Sequence, residues 1–109
     1  MMNGVYGSFS QEQIDKYKKI LHKKIHWLLL YKDPNMKNQF PTVDVNKYFE
    51  YLLKEINGAS VVLNYPVQII EILSLLQAAY DESHKETYDW DVYRKLVLDA
   101  HNLVDKIGD

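Results

Sequence analysis

Cysteine is absent from the chain. That single absence removes disulfides, thiol nucleophiles and thiolate metal sites together. Small secreted domains lean on disulfides, so a cysteine-free chain fits the cytosol better than the cell exterior. Glycine is scarce, with four in 109 residues. Neither G-x-x-x-x-G-K-[ST] nor G-x-G-x-x-G occurs, so the usual glycine-rich ways of bringing backbone against phosphates are missing. No serine sits in G-x-S-x-G, which leaves nucleophilic catalysis without a candidate. Long apolar runs are also lacking. The longest is "WLLLY" (residues 27–31), far short of the ~20 residues that span a bilayer. The opening "MMNGVYGSFSQEQ" has no basic stretch followed by an apolar run and does not read as a signal peptide. The expectation is a soluble, cytoplasmic protein without a membrane segment.

What is present is enough to fold. Hydrophobic residues make up 47% of the chain and charged residues 26%, ordinary values for a globular domain. A chain of 109 residues suits one domain with its own core. The net charge is −2, but it is unevenly spread. Residues 1–40 carry seven lysines against Glu12, Asp15 and Asp33, a balance of +4; residues 41–109 balance at −6. A basic first segment on an acidic remainder predicts either an acidic partner or attraction between parts of one fold. The Lys/Asn/Tyr/Ile-rich composition suggests an AT-rich bacterial or phage genome.

Periodicity predicts an all-α fold, a compact bundle of four main helices with mostly antiparallel neighbours. Residues 1–9 show little pattern and read as a flexible tail, leaving 10–109 as a single domain. Ser10 and Gln13 fit a capping box opening a helix over 11–32, with the stripe Ile14, Tyr17, Leu21, Ile25, Leu28. Pro34 ends it, and 33–43 is the longest connector. A second helix over 44–57, capped by Thr42 or Asp44, carries Val45, Tyr48, Phe49, Leu52 and Ile56, with Gly58 as its left-handed stop. "ASVVLNY" reads as a buried connector or a short helical turn, since its valines have no second strand to pair with. The third helix, 66–81, is apolar on nearly every side and is expected to be central. "DESHKETYD" reads as a polar loop. The fourth helix, 89–107, is capped by Thr87 or Asp89, carries Tyr93, Leu96, Val97, Ala100, Leu103, Val104 and Ile107, and closes at Gly108.

Three groups of residues stand out as candidate sites. His22 and His26 lie four apart on the first helix, a spacing that lets two imidazoles share a metal. Lys23 stands where the zinc-peptidase motif needs its glutamate, so this pair ranks as a weak metal candidate and no cofactor is expected. Its further ligands would come from His84, Glu86, Asp81 or His101. Lys16, Lys19 and Lys23 fall on one outer face of the same helix, with His22 and His26 beside them, and form a basic stripe. Trp27, and the group Tyr88, Trp90 and Tyr93 opening the fourth helix, combine apolar area with hydrogen-bonding tips, the chemistry of interfaces. The acids around His84 lack the glycine of a calcium loop, and two of them are explained as charges at a helix N-terminus near Thr87 and Asp89.

These features point to a non-enzymatic protein working through protein–protein contacts, as an adaptor or by self-association into a homodimer. A nucleic-acid accessory role for the basic stripe is the alternative. It is weakened by a pI near 6.1, where dedicated binders sit above ~9. No small-molecule substrate suggests itself.

Overall fold

A computed structural model describes residues 2–4, 7–32 and 44–107. They form an all-α four-helix bundle: α1 (Gln11–Lys32), α2 (Val45–Val62), α3 (Val67–Ser83) and α4 (Trp90–Leu103), followed by a 3-10 turn at Val104–Lys106. Within the segment expected to be a flexible tail, β1 (Met2–Gly4) pairs antiparallel with β2 (Gly7–Phe9), in the register Met2 to Phe9. Phe9 packs against the helical core. The connector 33–43 and Gly108 lie outside the described residues. No described helix is long and apolar enough to cross a membrane.

The predicted capping box closes in both directions. Gln13 N–H donates to Ser10 Oγ (3.2 Å), and Ser10 N–H donates to Gln13 Oε1 (2.8 Å). Two of the four orphan amides at that end of α1 are thereby satisfied. Asp44 caps α2 by accepting from Lys47 N–H (3.1 Å). Asp89 caps α4 by accepting from Asp91 N–H (2.9 Å) and Val92 N–H (3.4 Å).

Gly58 does not stop α2. The helix runs five residues beyond the expected end at 57 and takes in most of "ASVVLNY". Ile56, Ser60 and Leu63 are buried at spacings of four and three. Sealing one leucine is worth about 1.5–3 kcal/mol, more than the ~1 kcal/mol a helical glycine costs. The left-handed stop comes instead at Asn64 (φ 63°) and Tyr65 (φ 56°). Tyr65 N–H reaches back to the Ser60 carbonyl (2.7 Å) and Asn64 N–H to that of Val61 (3.2 Å), the paired bonds of a Schellman closure. A Cβ built at Gly58 meets nothing within 4 Å. Gly58→Ala is therefore expected to stabilise the fold by about 0.5–1 kcal/mol. A urea titration checks this, and a destabilised variant would contradict it.

Helix directions follow from contacts along the seams. Lys18, His22 and Leu28 of α1 meet Asp105, His101 and Tyr93 in that order, so α1 and α4 run antiparallel. Lys24 meets Glu55 and Tyr31 meets Tyr48, so α1 and α2 do too. The cross-section is a square in which each helix flanks its chain neighbour and α1 closes on α4. Ile14, Leu21, Ile25, Leu28, Phe49, Leu52, Ile56, Ile69, Ile72, Leu76, Tyr93 and Val97 fill the centre.

Two expectations need correction. α3 is not buried on every side. Ile69, Ile72, Leu76 and Ala79 are sealed, but Val67 and Ile70 are exposed, because a corner position in a bundle covers only part of a helix. α3 also continues to Ser83, which removes Glu82 from the expected polar loop. Glu82 is buried; it accepts from Asp89 N–H (2.9 Å) and pairs with Lys85 Nζ (2.6 Å). The Lys85 ammonium, with the Asp89 amide second, holds its carboxyl below the usual range. One side chain thus ties the end of α3 to the start of α4.

Candidate functional site

The outward side of α1 carries the candidate surface. Lys16, Lys19, Ile20 and Lys23 follow the spacing of one helical ridge. Lys16 sits 3.5 Å from Glu12. Lys19 and Lys23 are exposed and form no ion pair among the described residues. Between them Ile20 leaves 53% of its surface exposed, the only large apolar side chain of α1 so open among the described residues. Sequence reasoning did not single out Ile20. Its signal was available: it falls off the Ile14–Leu28 stripe, in the midst of the lysines.

Beside this ridge lies a chain of polar contacts joining α1 to α4. Asp105 Oδ1 is 2.6 Å from His22 Nε2, and His22 Nδ1 is 3.0 Å from His101 Nε2. Lys18 Nζ donates to the Asp105 backbone carbonyl (2.8 Å). The two rings meet edge-on with centroids 4.3 Å apart. His26 is exposed, its ring centroid 6.3 Å from that of His101. Burial pushes the His101 imidazole down from its ordinary value, and the His22 charge adds to the effect. The hydrogen bond from His22 holds the Asp105 carboxyl below the usual range.

This arrangement bears on the metal candidate. Both ring nitrogens of His22 are already engaged, one by a carboxylate and one by an imidazole. His84 is tied to the Tyr80 carbonyl on α3 (2.8 Å), and no group of three or more metal-ligating side chains gathers among the described residues. A carboxylate–histidine pair is also the core of many acid–base sites. Here the far nitrogen of His22 faces His101, where a nucleophile or substrate proton would have to sit.

The aromatic candidates divide. Tyr88 and Trp90 are half-buried neighbours of Tyr93, with ring centroids 6.3 and 5.7 Å from it. Lys32 Nζ lies 5.7 Å above the Tyr88 ring, in range of a cation–π contact. Tyr93 itself is sealed, with its hydroxyl donating to the Leu28 carbonyl (3.0 Å). It belongs to the core and not to a partner surface; a tyrosine on the apolar stripe of an amphipathic helix points inward with its neighbours. Trp27 is half-buried and stacks on Tyr31 at 5.4 Å. Tyr17, also on the stripe, walls an apolar hollow of about 310 Å³ with Phe9, Ile14, Val62 and Leu63. Its hydroxyl is buried without a hydrogen-bond partner among the described residues, and burial raises its pKa to about 12.

Comparison of the chain with protein-family models, curated proteins and solved structures finds no match.

Proposed function

We propose that this chain is a non-catalytic interaction module, working in the cytoplasm, that receives an acidic protein surface on the outer ridge of α1. The observation that carries this reading is the exposed Ile20 set among Lys16, Lys19 and Lys23. An apolar side chain ringed by cations has the make-up of a small contact patch: a desolvated centre for affinity, and charges for steering and orientation. Lys19 and Lys23 form no ion pair among the described residues, which leaves them available to a partner's carboxylates. Half-buried Trp27, with His22 and His26, flanks the patch. Trp90 and Tyr88 mark a second aromatic rim at the other end of the α1–α4 seam. The acidic remainder of a second copy is one surface of the right sign, so a homodimer is one form of the proposal.

The test is charge reversal. K16E/K19E/K23E is expected to keep its helical circular dichroism and melting temperature, since all three side chains lie outside the core. It should lose about tenfold or more in affinity for a captured partner, or for itself in sedimentation, equivalent to ~1.4 kcal/mol. Wild-type complex formation by the reversed ridge would sink the reading. Binding that transfers to an oligonucleotide and falls steeply with salt would replace the protein partner with a nucleic acid.

A further inference from the structure

We propose that His22 and His101 form a clasp across the α1–α4 seam that holds one added proton and opens on the second. The geometry fixes the proton count. An ionised carboxylate only accepts, so the contact with Asp105 places a hydrogen on His22 Nε2. Neutral His22 then offers a lone pair at Nδ1, and His101 Nε2–H must be the donor across the 3.0 Å gap. One proton more is accommodated. His22 becomes imidazolium and donates from Nδ1, while His101 moves its own hydrogen to Nδ1 and accepts at Nε2. The hydrogen bond survives with its direction reversed, and Asp105 balances the charge. A second proton has no such arrangement. It puts N–H groups and positive charges on both facing nitrogens, so the contact must break.

The surroundings add to this asymmetry. The groups around the pair are Lys18 and His26 on α1, Asn102 on α4, and Asp105 in the 3-10 turn. Asp105 is the one carboxylate among them. Lys18 and, once protonated, His26 oppose any further positive charge. The fold therefore resists the second proton, whereas an unfolded chain accepts it near the ordinary imidazole value of 6.5. Where the unfolded state binds more protons, stability rises with pH. It follows that the seam is firm above this range and weakens as pH falls below it. The part released is the last turn of α4 and the 3-10 turn, whose polar ties to α1 run through His22 and Lys18.

Imidazole and amide NMR of the full chain between pH 4.5 and 8 tests the clasp. His22 and His101 are expected to titrate as a coupled pair in two steps more than about one pH unit apart. Amide signals of residues 100–107 should shift or broaden with the second step, while those of α2 and α3 stay in place. In H101Q, His22 should revert to a single step, and H22N should do the same for His101 should the first variant fold poorly. One common step for both rings in the wild type would overturn the proposal. So would a second step that leaves residues 100–107 unmoved.

Discussion

Tyr93→Ala is expected to cost about 3–5 kcal/mol, a large part of the stability of a small domain. The side chain is fully sealed. It touches Phe49, Tyr88 and Trp90, and its hydroxyl bonds the Leu28 carbonyl on the facing helix. Truncation removes the packing of a whole ring, opens a cavity and strips a buried acceptor of its partner. Tyr93→Phe separates these effects: it keeps the ring and loses the hydroxyl, so about 1 kcal/mol should go. Urea unfolding of the three proteins measures both steps. A loss below ~1.5 kcal/mol for the alanine variant would mean that the seam around position 93 is not closed as described.

Phe49→Ala should cost a similar 3–5 kcal/mol. Phe49 is 1% exposed and meets Tyr80 and Tyr93 edge-on, with centroids 5.3 and 6.4 Å away. It joins α2 to both α3 and α4. Because Phe49 and Tyr93 share a contact, the double alanine variant should lose less than the two single losses combined. The shortfall is expected near 0.5–1.5 kcal/mol, the usual coupling of an edge-to-face pair. Strict additivity would show that the two rings do not sense one another.

Much of this architecture was legible in the residues. The α1 bounds of 11–32, its capping box, and the inward stripes of α1, α2 and α4 follow from local chemistry: spacing, a side-chain acceptor at the right offset, apolar periodicity; the caps of α2 and α4 narrow to two residues each, of which Asp44 and Asp89 are the ones used. The misreadings arose where a tertiary contact outweighed a local preference. Gly58 reads as a terminator until Ser60 and Leu63 are seen to be buried beyond it. Glu82 reads as a loop acid until it is seen buried at the end of α3, with one oxygen on Lys85 and the other accepting from the Asp89 amide at the start of α4. The candidate surface was half legible. The lysine ridge is a matter of spacing within one helix, as is its neighbour Ile20. The His22–His101–Asp105 chain is not, because the register between two helices nearly 80 positions apart is set by the packed core. No local pattern marks Asp105 as the residue that fixes which nitrogen of His22 carries a hydrogen.

The closure of α1 against α4 has a consequence during synthesis. The first helix packs more closely with the last than with α2, so its apolar stripe waits for residues made about 70 positions later, some 4–15 s at ordinary elongation rates. In that interval the side of the Leu21, Ile25 and Leu28 stripe that meets α4 lacks its permanent cover. Products that end before Tyr93 would leave the α4-facing side of the stripe uncovered and carry an aggregation hazard with them.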